Sequence, residues 1–469
     1  MRPEVDERTL FRAAELAVDY LRRVPDLPVR EEASLDDLRA ALRVPLNDAP
    51  LDPLTVVDEL VRGAEPGCVQ IQSPRYFGFV IGGSLEAAIA ADWLTSAWDQ
   101  NGGGYPPGPS AAVVEEAVGE WILDLLGLPA GCGVGLTTGC QMAHFTCLAA
   151  ARNRKLAETG WDVESDGLFG APPLRVIAGA HAHTTVFAAL RMLGLGSNRT
   201  EIVPADDQGR MLAGPLARIL REGEGPAIVI AQAGEVNTGA TDPLPQISEA
   251  AREYGAWLHI DGAFGLWAAA SERLRAQVEG IERADSWATD GHKWLNVPYD
   301  CGFAIVRDRE AHRAALSSLA GAEYIPPIEH GERYNAEWVP EFSRRARGFP
   351  VYAAIRSLGR RGVAELVERC CDCAHLMASA LAETEGIEVL NEVTLNQVLV
   401  RFRRDGANIS DEALLAIQDE GTCWMSGTTW DGQPAIRISV SNWRTTEDDI
   451  RRSAEAIANC LRQPLLAKK

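Results

Sequence analysis

The sequence predicts an α/β protein: a large domain built on a mainly parallel sheet, followed by a smaller α+β C-terminal domain. Two observations carry this. From about residue 131, short apolar, β-branched runs alternate with helical patterns, the signature of strands joined by crossover helices. The alternation argues for a mainly parallel sheet covered on both faces. After about residue 345 the alternation gives way to two long helical stretches and a few short strands.

Residues 1–72 read as a helical arm interrupted by Pro25, Pro28, Pro45, Pro50 and Pro53. The arm has no obvious core of its own and is expected to pack on something else. Helical patterns follow at 85–100 and 110–127. The loop DQNGGGYPPGPS between them can continue neither helix. Strands are expected at Arg175–Ala178, Ile202–Val203, Ala227–Ala231, Trp257–Ile260, Ser286–Thr289 and Gly302–Val306, with helices at 139–157, 183–193, 213–222, 245–254 and 270–276. Glu388–Leu390, Gln397–Arg403 and Ala435–Val440 are expected strands of the C-terminal unit. The expected domains are therefore 1–72, 73–345 and 346–469.

The chain has 469 residues and a formal net charge of −21, which argues against nucleic acid or an anionic membrane surface as partner. It contains no apolar run long enough to cross a membrane, and its charged N-terminus lacks the core of a signal peptide, so a cytoplasmic location is expected. Cys370, Cys371, Cys373 and His375 lie in a strong helical pattern, where adjacent thiols point apart. A core helix is expected there, and no metal site.

Ligands of open α/β sheets bind beyond the carboxyl ends of the strands, and four polar features fall at such places. In GLTTGCQMAHF a glycine-rich turn runs into a helix start at Gly139, where free N–H groups favour an anion. It is neither a Walker loop nor a G-x-G-x-x-G turn. In AHAHTTV, His183 opens a helix; it is a cap, a packed ring or a group lying flat on an aromatic ligand. In WLHIDGAFG, Asp261 ends an apolar strand and needs a partner: a metal, a helix N-terminus or a protonated ring nitrogen. In ATDGHKWLN, Lys293 stands at another strand end. Desolvation there would lower its pKa and make it a Schiff-base nucleophile. An anion cradle, a stacking imidazole, a buried carboxylate and a desolvated lysine together fit pyridoxal phosphate.

These motifs resemble the group II pyridoxal-phosphate-dependent amino-acid decarboxylases, which include the aromatic-amino-acid and glutamate enzymes. The resemblance runs from about Ser73 to about Thr446 and is carried by DGHKW, WLHIDGAFG, HTTV, SPRYFGFV and EFSRRARGFPVYAAIRSLG. It implies fold type I, the aspartate-aminotransferase-like fold, and a homodimer with shared sites. It implies that Lys293 forms the Schiff base, that Asp261 pairs with the pyridine nitrogen, and that Ala263 and His183 flank the ring. Gly139, Cys140 and Gln141 would meet the phosphate, with His292 nearby. Gln141 replaces the hydroxyl that the family usually carries. Asn237 or Thr238 would supply a further polar contact to the cofactor. Phe79, Val80, Ile81 and Gly82 would line the substrate pocket, with Asn101 reaching it across the dimer interface. The family's proton-donating loop tyrosine corresponds best to Tyr334, one position out of register, with Tyr324 farther away.

The expected reaction is decarboxylation of an L-amino acid, with Tyr334 or His183 returning the proton. An aminotransferase, an aldehyde synthase or another lyase of the same fold is the alternative. Arg437 is the candidate grip for a substrate carboxylate.

Overall fold

The computed structural model describes residues 5–317 and 331–462. The N-terminal arm folds as α1 (Glu7–Arg23), α2 (Leu35–Leu42) and α3 (Pro53–Ala64). Asp6 caps α1, and Ser34 with Asp37 closes a reciprocal capping box on α2. No residue of α1 or α2 is buried, and Leu10, Phe11 and Leu60 stay exposed. These side chains leave an apolar face of the arm uncovered.

Two helices, α4 (Glu86–Trp98) and α5 (Pro109–Leu125), lead into the large domain. Its sheet contains β1 (Gly133–Thr137), β2 (Arg175–Gly179), β3 (Glu201–Val203), β4 (Ala227–Gln232), β5 (Trp257–Asp261), β6 (Ser286–Asp290) and β7 (Gly302–Val306). Their order is β1-β7-β6-β5-β4-β2-β3. The pairs from β6 through β5, β4 and β2 to β3 are parallel, and β7 runs antiparallel to both β6 and β1. The connections carry α6 (Cys140–Ala157), α7 (Val163–Asp166), α8 (Thr184–Met192), α9 (Ala213–Glu222) and α10 (Leu244–Glu253), and α11 (Arg309–Leu316) follows β7. The central strands β4, β5, β6 and β7 are buried along their whole length, with the polar His259, Asp261, Ser286, Thr289 and Asp290 enclosed among apolar residues in β5 and β6.

The C-terminal unit starts with α12 (Gly348–Ala382), bent where Gly359 adopts φ 61°. It holds β8 (Ile387–Val389), β9 (Gln397–Arg404), β10 (Ala407–Asn408), α13 (Ser410–Glu420), β11 (Ser426–Trp430), β12 (Gln433–Ser439) and α14 (Glu447–Arg462). Its strands pair antiparallel in the order β10-β9-β12-β11, with β8 on β9. Cys370, Cys371 and Cys373 are buried in α12, as the helical pattern predicted.

Two expectations change. The stretch 270–276 is not an α-helix: two 3-10 turns, Gly265–Ala270 and Arg275–Val278, flank Ser271. The Ser271 hydroxyl oxygen accepts from Leu274 N–H, and the hydroxyl donates to Glu368, fixing a bend where a helix would run on. The glycine-rich segment before Gly139 is a strand, β1. Its glycines are needed because Trp338 lies against it: a Cβ on Gly133 would fall 2.4 Å from the Trp338 ring, and one on Gly135 would fall 2.3 Å from the Trp338 carbonyl oxygen.

Candidate active site

The carboxyl ends of β1, β5 and β6 face one cavity of about 490 Å3, together with the first turns of α6 and α8. Gly139, Cys140, Gln141, His183, Asp261, Ala263, His292 and Lys293 line it, and Phe79 and Arg437 enter from the side of the C-terminal unit. A larger cavity of about 910 Å3 opens at the other end of β5 beside Trp257, but its lining charges are satisfied locally, Arg154 by Asp308 and Lys155 by Glu158. The four predicted features meet only in the smaller one.

Lys293 follows β6 by three residues and has 19% of its side chain exposed. Its Nζ is 3.1 Å from Asp290 Oδ2. Desolvation opposes the ammonium charge, but Asp290, helped by Cys140 and Asp261, outweighs it and raises the lysine above its ordinary value. The expectation that burial would depress this lysine is therefore reversed. Asp290, which sequence reasoning missed, also accepts the Cys140 N–H at 2.7 Å through Oδ1. That N–H is thus engaged by a carboxylate. The N–H groups of Gln141 and Met142, in the same first turn, have no carbonyl within the helix to meet.

Asp261 ends β5. Its Oδ1 accepts from Ala263 N–H at 3.1 Å, and its Oδ2 faces His144 Nε2 at 3.4 Å. Burial would raise its pKa, but His144 and, to a lesser degree, His183 and Lys293 prevail and hold it below the usual carboxylate range. His183 is the N-cap of α8. Its Nδ1 lies 2.8 Å from Thr185 Oγ1 and accepts from Thr185 N–H at 3.4 Å, so the ring proton sits on Nε2. Burial, the largest influence, lowers the His183 pKa and keeps the ring neutral. His292 is likewise lowered by burial; its Nδ1 accepts from Cys301 N–H, and its ring stacks on Tyr299 at 4.3 Å between centroids. Arg437, on β12, is only 9% exposed and its Nε has no hydrogen-bond partner among the described residues.

Residues 36–404 match the pyridoxal-dependent decarboxylase conserved domain. The chain belongs to this family. It is 31% identical over 388 residues to the L-2,4-diaminobutyrate decarboxylase of Rhizobium meliloti (strain 1021), covering 80% of this chain and 75% of the relative. It is 27% identical to the aromatic-L-amino-acid decarboxylase of Bacillus atrophaeus, over 94% of this chain and 92% of that one. A crystal structure of Oryza sativa TDC with PLP and tryptamine superposes with a TM-score of 0.90 at 23% identity, covering 98% of this chain and 99% of the other. The fold is therefore fold type I, and the cofactor of this family member is pyridoxal phosphate. The residues present suit that group. The cavity offers helix N–H groups for a phosphate, a carboxylate for a protonated ring nitrogen and a lysine amine for the aldehyde. Gly139 leaves the cradle open, since a Cβ there would stand 3.1 Å from His292 Cε1.

Several predicted contacts fall elsewhere. Asn237 and Thr238 do not line the cavity. Their backbone N–H groups, with the Asn237 amide, donate to Glu235, and the Thr238 hydroxyl donates to the Gln208 carbonyl. Gln232, Gly234 and Val236 take the lining positions. Val80 is fully buried in the core, and neither Ile81 nor Gly82 lines the cavity. Gly82 instead abuts the Lys293 backbone, where a Cβ would fall 1.7 Å from the carbonyl oxygen. Asn101 is expected at the site of a second copy rather than in this chain's own cavity, and here its Oδ1 accepts from Gly103 N–H and Arg344 N–H. Tyr334 is also outside it: the ring is buried against Gly104, beside Trp338 and Arg333 in a separate cleft. Tyr324 lies outside the described residues.

No described helix is long and apolar enough to cross a membrane.

Proposed function

We propose that this protein decarboxylates an L-amino acid to the amine and carbon dioxide, with pyridoxal phosphate held on Lys293. The convergence of Lys293, Asp261, His183 and the α6 N-terminus in one cavity carries the reading, within a chain of the decarboxylase family.

The geometry supports the following roles. The free N–H groups of Gln141 and Met142 bind the phosphate, aided by the α6 dipole. Asp261 is an anion fixed by Ala263 N–H, positioned to keep a proton on the ring nitrogen. Ala263 and His183 both line the cavity and are the residues that would flank the cofactor ring. When bound, the cofactor supplies an electron-accepting ring conjugated to the substrate's α-carbon. Phe79, Val236 and Phe264 give the cavity an apolar wall, which suits an apolar substrate side chain. Arg437 offers the cavity's guanidinium to a substrate oxygen. Tyr334 lies outside this chain's own cavity, and His183 is the titratable group beside the site; to return a proton to the carbon that loses carbon dioxide its ring must first take up a second proton, because the neutral imidazole is too weak an acid.

We read the protein as a cytoplasmic homodimer. The exposed apolar side chains of the arm, with Trp93, Leu94 and Trp98 on α4, support a covering second copy. Mass spectrometry of products from an amino-acid mixture tests the reaction. The expected product is one amine lighter than its parent by carbon dioxide. An aldehyde with hydrogen peroxide, or a keto acid, would overturn the assignment.

A further inference from the structure

Behind Asp261 lies a buried row of polar groups that the reaction does not touch. Trp257 Nε1 donates to Ser286 Oγ at 2.9 Å; Ser286 Oγ lies 2.9 Å from His259 Nδ1; His259 Nε2 lies 2.9 Å from His144 Nδ1; and His144 Nε2 faces Asp261 Oδ2 at 3.4 Å. His144, His259 and Ser286 are completely buried, and Trp257 and Asp261 are 5% exposed. His144 Nε2 makes no hydrogen bond among the described residues, and Asp261 Oδ2 at 3.4 Å is the acceptor it faces.

We propose that Trp257, Ser286, His259 and His144 form a one-way hydrogen-bond chain that ends on Asp261 and fixes its charge for the cofactor ring. This rests on the reading that the ring nitrogen sits on Asp261. The two ends set the direction. An indole N–H only donates, and a carboxylate only accepts. Ser286 Oγ accepts from Trp257, so its own hydrogen goes to His259 Nδ1. The His259 proton is then on Nε2 and goes to His144 Nδ1, and the His144 proton is on Nε2 and faces Asp261.

The reverse order fails at both ends. A proton on His259 Nδ1 would strand the Ser286 hydrogen, and a lone pair on His144 Nε2 would oppose the carboxylate. Buried groups left in that state are costly. A charged His144 also strands the Ser286 hydrogen, because both its nitrogens then donate. Only two neutral rings, each protonated on Nε2, satisfy every member. Burial keeps His259 neutral, with a pKa pushed down to about 3. The consequence is chemical. A neutral donor steadies the Asp261 anion without cancelling its charge, which stays available to a protonated pyridine nitrogen. His144 is thus a positioning residue, and Ser286 and Trp257 act through it.

Nitrogen-15 NMR of histidine-labelled protein, with His144 and His259 assigned through His144→Gln and His259→Gln, tests the chain directly. Both rings should be neutral with the proton on Nε2, in cofactor-free and pyridoxal-phosphate-loaded protein alike. A proton on Nδ1 of either ring, or a doubly protonated His144, overturns it. His144→Gln can still donate to Asp261 and accept from His259. Pyridoxal-phosphate affinity should therefore survive within about threefold in that variant and fall at least about tenfold in His144→Leu, as expected for a lost hydrogen bond to a charged group. Equal losses in two folded variants would also overturn the proposal. If pyridoxal phosphate failed to attach to Lys293, the site reading would fall, while the tautomers of the cofactor-free protein would still decide the chain.

Discussion

Asp290 Oδ2 stands 3.1 Å from Lys293 Nζ, while the other oxygen of the same carboxylate holds the Cys140 N–H at 2.7 Å. One side chain thus joins the lysine to the start of the phosphate cradle. Capture of an aldehyde needs the neutral amine, so the capture rate rises with pH through the lysine pKa. Asp290 raises that pKa against the pull of desolvation. Asp290→Asn should move the rise to lower pH. A tenfold fall in the proton affinity of the amine leaves about tenfold more of it neutral at a fixed pH below the pKa. Stopped-flow absorbance of pyridoxal phosphate attachment across pH checks the direction.

Gly82 and Gly302 carry a packing prediction. A Cβ on Gly82 would collide with the Lys293 carbonyl oxygen, and one on Gly302 would come within 2.6 Å of the Gly139 backbone. Both obstacles are main chain and cannot rotate away. Gly82→Ala and Gly302→Ala should each cost about 1–3 kcal/mol of stability and weaken cofactor binding. Gly139→Ala, whose Cβ would stand no closer than 3.1 Å to the His292 ring and 3.5 Å to Asp290 Oδ1, should be milder. Thermal unfolding and cofactor titration of the three variants check the order.

Arg437 is buried with an unpaired Nε on the cavity wall. Replacing it by Met should raise KM about tenfold to a hundredfold, the loss expected for a hydrogen bond to a charged group. The visible spectrum of the bound cofactor should be unchanged. Steady-state kinetics with the substrate found by product screening checks both.

His312 gives the fold a pH dependence away from the site. Its Nε2–H donates to the Trp338 carbonyl at 2.9 Å, and burial pushes its pKa down to about 3 from 6.5. Between those values the unfolded chain binds the proton that the folded chain refuses. Its contribution to stability is therefore complete above about pH 6.5 and is lost as pH falls toward 3. His312→Gln, which retains an N–H donor, should flatten this part of the profile. Urea midpoints between pH 4 and 7 read it out.

Most of the frame was legible because its signals are local. Strand ends at Asp261 and Lys293 and the turn at Gly139 are written in short apolar runs closed by polar or small residues. Asp290 was missed: it is a carboxylate at a strand end three residues before the lysine, but nothing in the sequence ties it to the Cys140 N–H, 150 residues away. His144 left only one histidine on an apolar helix; its meaning depends on His259 and Asp261, which are distant in sequence and meet through sheet packing. Asn237 and Thr238 look like ligand contacts in sequence. Glu235, two or three residues away, takes their N–H groups and turns the loop inward. Tyr334 was placed by counting from Arg344, which cannot reveal that Gly104 offers its ring a berth outside the cavity.

The central claim is carboxylate loss at a cofactor held on Lys293. Supplying the loaded enzyme with amino acids carbon-13-labelled at the carboxyl carbon measures it most directly. Labelled carbon dioxide and amine should form in equal amounts, without any keto acid present, and Lys293→Ala should form neither. Amine transfer that depends on a keto acid and retains the labelled carboxyl, or undiminished carbon dioxide release by Lys293→Ala, would contradict it.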